Sequence, residues 1–236
     1  MTNYVTDIST GANPPDILNA VIEIPMRSRN KYEYNEQENY FFLSRVLPSP
    51  FGYPLDYGFI PQTRSDDGDA LDVLVMLYES TFPGCVMEVR PIGLARMLDE
   101  KGVDDKIIAV ATADPRLNEI NEMSDLGEFW QRGIDHFFRE YKRLGSPLQW
   151  SEVVEWEDRE AARKVVLSSM ERYQVELNEG QESLKVMLAR QEGLIHHLER
   201  AKSAEGTKQL IENLKKINKE LCDRFEKCDV PDDKEE

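Results

Sequence analysis

Cysteine, long apolar runs and basic excess are all scarce in this chain of 236 residues. Its three cysteines, Cys85, Cys222 and Cys228, are too widely spaced to match a zinc-binding pattern. We expect reduced thiols in a cytoplasmic protein, because a reducing compartment opposes the alternative, a Cys222–Cys228 disulfide. No run approaches the roughly 18 apolar residues of a membrane span, and residues 1–19 are too polar for a secretory signal.

The charge balance is strongly acidic. Lys and Arg total 29 against 45 Asp and Glu, for a net charge of −16. Duplex DNA and anionic lipid surfaces bind proteins through an excess of basic groups. We therefore expect no nucleic-acid partner and no membrane partner, and cations or cation-bearing substrates suit the chain better.

The composition divides the chain into two parts, which we predict to be a globular domain over residues 1–174 and a helical extension over residues 175–236. The front part holds all three tryptophans and most of the acidic excess. The extension carries two blocks of apolar residues at three-to-four spacing, interrupted around Gly206. This pattern predicts a helical hairpin or short coiled coil that either supports the core and an oligomer or docks a partner.

Short β-branched and aromatic runs, separated by turn residues, predict a series of strands in the front part. The runs cover residues 21–24, 31–34, 40–47, 71–77, 86–94 and 106–111. Their spacing indicates a barrel or a strongly curved antiparallel sheet. Lys31 and Glu33 lie two residues apart and thus share one strand face, so we expect that face to line a polar cavity.

Helical periodicity replaces the strand pattern from residue 124. The stripe comprises Leu126, Phe129, Trp130, Gly133, Ile134, Phe137, Phe138 and Tyr141. It predicts one core-facing helix that is capped by Ser124 or Asp125 and ends near Gly145. A strand over residues 149–156 and a second helix over 159–174 follow, and the helical pattern is compatible with continuation into the extension.

Four carboxylates lie within residues 66–72, namely Asp66, Asp67, Asp69 and Asp72. Asp72 borders an apolar run, where an isolated carboxylate is costly. A hard cation with oxygen ligands would remove that cost, and Mg²⁺ takes carboxylates together with water and substrate phosphate. An EF-hand loop fails, because its fifth and twelfth positions would be Leu71 and Tyr78. The pattern favours a metal site, with a solvated turn as the alternative.

A second acidic group lies at residues 99–105 between two apolar runs. Taken alone, this group predicts an exposed turn. Taken with residues 66–72, it could place Asp99 and Asp104 at the open end of a barrel, opposite Asp67 and Asp72, where the four carboxylates would share cations. Cationic and phenolic side chains at strand and helix ends are suited to phosphate contacts. These are Lys31, Arg45, Lys106, Lys142, Tyr53, Tyr57 and Tyr141.

The stretch DGDALDV at residues 67–73 resembles the D-x-D-x-x-D signature of family I soluble inorganic pyrophosphatases. Other blocks are similar to that family in order and spacing over residues 21–169. They are IEIP at 22–25, KYE at 31–33, GYP at 52–54 with DYGFI at 56–60, RPIG at 90–93, and HFF at 136–138 with YK at 141–142.

The resemblance implies a mainly β (α+β) fold, a five-stranded OB-like closed barrel with helices outside it. It also implies Mg²⁺-dependent hydrolysis of pyrophosphate to two orthophosphates, several Mg²⁺ per site with Mn²⁺ or Zn²⁺ as substitutes, and a homo-oligomer. The implied metal ligands are Asp67, Asp72, Asp99, Asp104, Glu23 and Glu33. Asp69 is implied as the general base, and the implied phosphate-binding residues are Lys31, Arg45, Tyr57, Lys106, Tyr141 and Lys142. Of these, Lys31, Arg45 and Tyr57 join Asp69 as catalytic residues.

Two other classes of function stay open at this point. A non-enzymatic OB-like binding module predicts a basic groove with exposed aromatics, which the acidic strand ends oppose. An inactive scaffold that presents the extension is opposed by the presence of every acidic and basic position that the reaction needs.

Overall fold

The computed structural model describes residues 2–145, 148–200, 212–217 and 219. In chain order the strands are β1 (Leu18–Ile24), β2 (Asn30–Asn35), β3 (Tyr40–Val46), β4 (Asp56–Phe59), β5 (Asp72–Met76), β6 (Val86–Asp99), β7 (Gly102–Val103), β8 (Lys106–Ala111) and β9 (Ser151–Glu157). The helices are α1 (Met123–Leu126), α2 (Glu128–Glu140) and α3 (Arg159–Arg200), with a 3₁₀ turn at Pro115–Leu117. Residues 212–217 are also helical.

Five strands close a ring in the order β1, β4, β5, β8 and β6, because β6 pairs back with β1. Within the ring β5 and β8 are parallel, and the other pairs are antiparallel. Strand β9 adds to β6 outside this path, and β2 with β3 forms a separate hairpin. The predicted five-stranded closed arrangement with flanking helices is confirmed.

The ring strands bury both of their faces. Val73 of β5 and Ile107 of β8 pack in a cluster that includes residues of α3, whereas their neighbours Leu74 and Ile108 pack in a second cluster with residues of α2. Successive strand residues point to opposite faces. Both faces of these strands are therefore buried, one against residues of α2 and the other against residues of α3, and the strand sequences are nearly continuous apolar runs.

Strand β4 is missing from the sequence prediction because it is short and contains glycine. The glycine is required by a close approach, since a Cβ built on Gly58 would lie 1.9 Å from the carbonyl oxygen of Val21 in β1. All four β4 residues are buried, so the strand shows no alternation of polar and apolar positions. The two-residue β7 falls in the turn predicted at residues 99–105.

The single helix predicted from residue 124 is wrong, because the chain breaks at Gly127, whose φ is +74°. The cap of α1 is Glu122 in a capping box with Asp125, rather than Ser124 or Asp125. Phe129 is 84% exposed and not in the core. It precedes Ile134 by five residues, which places it about 140° around α2 from that buried side chain.

Helix α3 is one helix of 42 residues. It continues the predicted 159–174 helix without a break into the segment predicted as the first extension helix. The contacts divide the chain into a unit at Met1–Tyr173 and a unit at Gln174–Glu236. The predicted turn around residues 203–207, Cys222 and Cys228 lie outside the described residues. Cys85 is a free, partly buried thiol. Among the described helices, none is both long and apolar enough to cross a membrane.

Candidate active site

The predicted polar residues gather where β5 and β8 begin. Asp72 is the first residue of β5 and Lys106 the first of β8, and these strands run parallel, so both side chains lie at the same edge of the sheet. Strand β4 runs antiparallel to β5 and places Tyr57 opposite Leu74, close to that edge. The strand register therefore brings an acid, a base and a phenol together.

The ammonium of Lys106 lies at the centre of this group and is only 3% exposed. Its Nζ donates to Asp72 Oδ2 at 2.5 Å and to Asp104 Oδ1 at 2.8 Å. The hydroxyl of Tyr57 also donates to Asp72 Oδ2, at 2.5 Å. In the described part of the chain, no three acidic, histidine or cysteine side chains converge into a ready-made cation site. An internal lysine instead partly balances the carboxylates.

The electrostatics of this group keep Lys106 charged and Tyr57 neutral. Burial alone would lower the pKa of Lys106, but Asp72 and Asp104 raise it above its ordinary value. Burial, and then the charge of Asp72, raise the pKa of Tyr57 well above 10. Burial also raises the pKa of Asp104 against the opposing effect of Lys106. One ammonium thus faces two carboxylates, and the group keeps a negative excess.

Glu23 reaches the site through a bulge in β1. The pairing register of β1 with β4 shifts between Ile22 and Ile24, and a bulge re-aims the side chain that it contains. Glu23 Oε1 accepts from the backbone amide of Tyr34 at 2.7 Å, which joins β1 to β2. Burial, with a smaller contribution from Asp72, raises the pKa of Glu23 to about 8 despite that amide. The protein alone holds this carboxyl largely protonated near neutral pH.

The loop before β5 presents Asp67 and Asp69. Its turn is closed by backbone bonds from Ser65 N to Asp69 O at 2.8 Å and from Gly68 N to Ser65 O at 3.1 Å. Asp67 Oδ1 accepts from the amide of Asp69 at 3.1 Å. Burial, then the charges of Asp67 and Asp72, raise the pKa of Asp69. A carboxyl with a raised pKa is a better proton acceptor once ionised.

Basic side chains line the other side of the group. Lys31 Nζ donates to Glu33 Oε1 at 2.5 Å, as expected for two residues on one strand face. Arg45 pairs across the hairpin with Lys31, and its buried Nε lacks a hydrogen-bond partner among the described residues. Lys142 Nζ donates to Asp99 Oδ2 at 3.1 Å and to Glu100 Oε2 at 3.2 Å. An unpartnered buried donor is costly, so an anion at Arg45 would remove a penalty.

Comparison with known proteins identifies the family of this chain. A family profile described as inorganic pyrophosphatase matches residues 20–174, which is more than half of the chain. The chain belongs to the inorganic pyrophosphatase family. The resemblance to family I soluble inorganic pyrophosphatases is confirmed, and so are the predicted enzyme class, a hydrolase, and its substrate, pyrophosphate.

Relatives of this pyrophosphatase cover its front part nearly end to end. The inorganic pyrophosphatase of Haloferax volcanii is 44% identical over 174 residues, which are 74% of this chain and 98% of that protein. The crystal structure of the Thermus thermophilus enzyme superposes with a TM-score of 0.70 at 42% identity, covering 72% of this chain and 99% of that one. The Schistosoma japonicum enzyme superposes with a TM-score of 0.66 at 26% identity, over 73% and 71% of the two chains.

Effects on pKa values link the six carboxylates predicted as ligands in this pyrophosphatase, through Asp72 and Asp69. Asp72 raises the pKa values of Glu23, Asp69 and Asp104. Glu33 likewise raises that of Glu23, Asp99 that of Asp104, and Asp67 that of Asp69. Direct contacts bring Asp72, Tyr57, Lys106 and Asp104 together, whereas Lys31 with Glu33 and Lys142 with Asp99 form separate pairs. Tyr141 packs 6.4 Å from Tyr53 between ring centroids, and Tyr53 packs 5.4 Å from Tyr57.

The sequence reasoning missed three carboxylates with defined partners. Glu100 binds Lys142, and its position next to Asp99 was the available signal. Asp105 pairs with Arg96 and accepts from Met97 N at 3.3 Å, so it orients the turn before β8. Asp56 is fully buried and accepts from Met26 N at 2.6 Å and from Thr81 Oγ1 at 2.6 Å. Because its partners are distant in sequence, no local sequence pattern predicts that Asp56 is buried and hydrogen-bonded.

Proposed function

We propose that this pyrophosphatase hydrolyses pyrophosphate with Mg²⁺ held by its acidic network and with Asp69 as the general base. The observation that carries the proposal is the surplus of carboxylates around Asp72. Lys106 balances only part of it, and Glu23 is held protonated beside it. We expect such a surplus of carboxylates, partly balanced by a lysine and by protonation of one carboxyl, in a cation site that holds no metal.

The residues present fit a hard divalent cation. The proposed ligands are all carboxylates, Asp67, Asp72, Asp99, Asp104, Glu23 and Glu33, and Mg²⁺ prefers oxygen. Bound there, Mg²⁺ cancels the negative charge of the substrate, polarises a phosphoryl oxygen and lowers the pKa of water. The same oxygen set admits Mn²⁺, and Zn²⁺ less readily because zinc favours nitrogen and sulfur ligands.

The reaction cleaves one bridging phosphorus–oxygen bond. A water oxygen attacks one phosphorus, its proton passes to Asp69, and the second phosphate departs. Six side chains hold the phosphates. Lys31 and Arg45 lie in the β2–β3 hairpin, and Lys142 lies just after α2. The other three are Tyr57, Lys106 and Tyr141. Tyr57 serves as a neutral donor, because its pKa is raised well above 10. A general base of this kind contributes roughly 10²–10⁴ in rate.

The direct test is phosphate release from pyrophosphate at roughly millimolar Mg²⁺, as weakly held Mg²⁺ sites require. Release should be fast for the wild type, and it should disappear in EDTA and in Asp67→Asn. The matched control is Asp66→Asn, one position away and exposed, which should keep wild-type release. No release from the folded, Mg²⁺-supplied wild type would instead support the inactive scaffold that presents the extension.

We further propose that residues 1–174 form the catalytic domain, residues 175–236 form an appended helical extension, and the chain is a cytoplasmic homo-oligomer. The family match ends at residue 174, and a relative of nearly that length is matched over 98% of itself. Sedimentation of the full chain, with a fixed multiple of the 27.3 kDa subunit mass expected, tests the oligomer.

A further inference from the structure

Helix α3 holds the backbone of one residue at the entrance to the acidic loop. The amide of Arg64 donates to the carbonyl of Ser169 at 2.9 Å, and the carbonyl of Arg64 accepts from Arg172 Nε at 2.8 Å. Both backbone groups of Arg64 are therefore bound by a single turn of the helix. Contacts of this kind restrain the position of a chain segment, because the N–H donates in one direction and the carbonyl accepts near the plane of its lone pairs.

The guanidinium of Arg172 is itself held in place. Its Nη2 donates to Ser169 Oγ at 3.0 Å, and its Nη1 lies 3.4 Å from Asp66 Oδ1. The planar fork of arginine makes such contacts with little further loss of rotamer freedom. Asp66 is 69% exposed, so its ion pair adds little. The hydrogen bond from Arg172 to the Arg64 carbonyl is therefore the main contact between this side chain and the loop.

The side chain of Arg64 fastens the same point to two other elements. Its Nη2 donates to Glu36 Oε1 at 2.9 Å, in the turn between β2 and β3. Its guanidinium carbon lies 5.4 Å from the ring centroid of Tyr173, in α3. Arg64 is thus fixed by both its backbone and its side chain.

The loop that carries Asp67 and Asp69 starts from this fixed point. Ser65 follows Arg64 directly and closes the turn by donating to Asp69 O at 2.8 Å. On the preceding side, Thr63 Oγ1 accepts from the amide of Leu71 at 2.9 Å. A displacement of Arg64 would therefore pass through Ser65 to Asp69. Loops on a rigid scaffold hold functional groups more accurately than loops that are free.

We propose that Arg172 is a positioning residue for the acidic loop, acting through the backbone of Arg64. It does not touch the reacting atoms. It sets where the carboxylates of Asp67 and Asp69 lie before any cation or substrate binds. The loop geometry is independent of the function proposed above, whereas the effect on Mg²⁺ rests on that function.

The test compares four variants of the full chain: Arg172→Ala, Arg172→Lys, Asp66→Asn and Arg163→Ala. Arg163 is the matched control, because it is an arginine of α3 with its own ion pair, to Asp16, away from the loop. The first measurement is hydrogen exchange of residues 63–70 in metal-free protein. The second is Mg²⁺ binding by calorimetry, and the third is kcat at saturating Mg²⁺.

Arg172→Ala should accelerate exchange over residues 63–70 by about tenfold or more and weaken Mg²⁺ binding by a similar factor, as expected for a lost charged hydrogen bond. Excess Mg²⁺ should restore most of kcat, because the ligands themselves remain. Arg172→Lys should fall between wild type and Arg172→Ala, since lysine keeps the charge but not the fork. Asp66→Asn and Arg163→Ala should match wild type within about twofold in loop exchange and Mg²⁺ affinity.

The proposal is overturned if folded Arg172→Ala keeps wild-type exchange over residues 63–70, or if Arg163→Ala accelerates that exchange equally. If Arg172→Ala does not fold, Arg172→Lys decides by the same measurements. A wild type that releases no phosphate while exchange still responds to Arg172 would refute the proposed function and leave the positioning role standing.

Discussion

Replacing Lys106 by methionine tests whether an internal ammonium neutralises the site in the absence of metal. Methionine is one atom shorter than lysine but is also unbranched and has much of its volume, so the change removes mainly the charge. Asp72 and Asp104 then face each other without their shared donor, which lies 2.5 and 2.8 Å from them in the wild type. The metal-free variant should therefore be destabilised.

The magnitude follows from the burial of the three groups. Removing one partner of a buried ion pair costs about 3–5 kcal/mol. The lysine is 3% exposed, but Asp72 is 25% and Asp104 is 26% exposed, so water screens part of the remaining repulsion. We expect the lower end, about 3 kcal/mol. For a domain of this size that corresponds to a fall in Tm of about 6–12 °C in EDTA.

Mg²⁺ should reverse most of this loss. Mg²⁺ stabilises both proteins, so the gap shrinks only by the difference in their Mg²⁺ affinity. In the variant no lysine competes with Mg²⁺ for Asp72 and Asp104, and we expect binding about 20-fold tighter than in the wild type, which adds about 1.8 kcal/mol at saturating Mg²⁺. The Tm gap between variant and wild type, measured by calorimetry without substrate, should shrink by more than half. Lys164→Met, an exposed lysine of α3, is the control and should leave Tm unchanged in both buffers. A Tm gap equal in EDTA and in Mg²⁺ would refute the assigned role of Lys106.

Three further predictions concern Glu23, the extension and β4. Burial raises the pKa of Glu23 from its ordinary value of about 4.5 to about 8, so between these values the folded state binds a proton that the unfolded state has lost. The metal-free wild type should therefore lose stability as pH rises from about 5 to 8, and Glu23→Gln should lose less, as measured by denaturant titration at each pH. A chain that ends after residue 174 should release phosphate at a specific rate within about twofold of the full chain, because a relative is matched over 98% of its length by 174 residues. A truncated protein that folds but is inactive would contradict the domain boundary. Gly58→Ala should lower the free energy of unfolding in urea by more than about 3 kcal/mol, because its Cβ would lie 1.9 Å from the carbonyl oxygen of Val21. Gly68→Ala has open space around the new Cβ and should lower the free energy of unfolding by less.

Strand periodicity predicted the ring strands that are long and apolar, and it failed where tertiary contacts decide the conformation. Lys106–Ala111 was predicted at its observed bounds because its β-branched residues Ile107, Ile108 and Val110 favour a strand. Strand β4 and the break at Gly127 were missed, since a close approach at Gly58 and a positive φ at Gly127 leave no periodic signal. Phe129 was misplaced because it lies about 140° around α2 from Ile134, so helical spacing itself places it off the buried stripe.

Motifs in the sequence supplied the candidate site residues, but not the contacts that those residues make in the fold. The pair of Lys31 with Glu33 follows from strand period alone. The position of Lys106 between two carboxylates depends on the parallel register of β5 and β8, which join residues more than thirty positions apart. The hydrogen bond from Arg172 to the Arg64 carbonyl joins residues that are 108 positions apart in the sequence. Contacts at such separations are set by the fold and have no signature in one sequence.

The most direct test of the account is to measure Mg²⁺ affinity and kcat together for Asp67→Asn and Asp69→Asn, two acids in one loop with different assigned roles. Asp69→Asn should bind Mg²⁺ like the wild type and lose about 10²–10⁴ in kcat, the contribution of a general base. Asp67→Asn should bind Mg²⁺ more weakly and recover kcat as Mg²⁺ is raised. The account is contradicted if Asp69→Asn keeps near-normal turnover, or if both variants lose Mg²⁺ affinity and kcat in the same proportion.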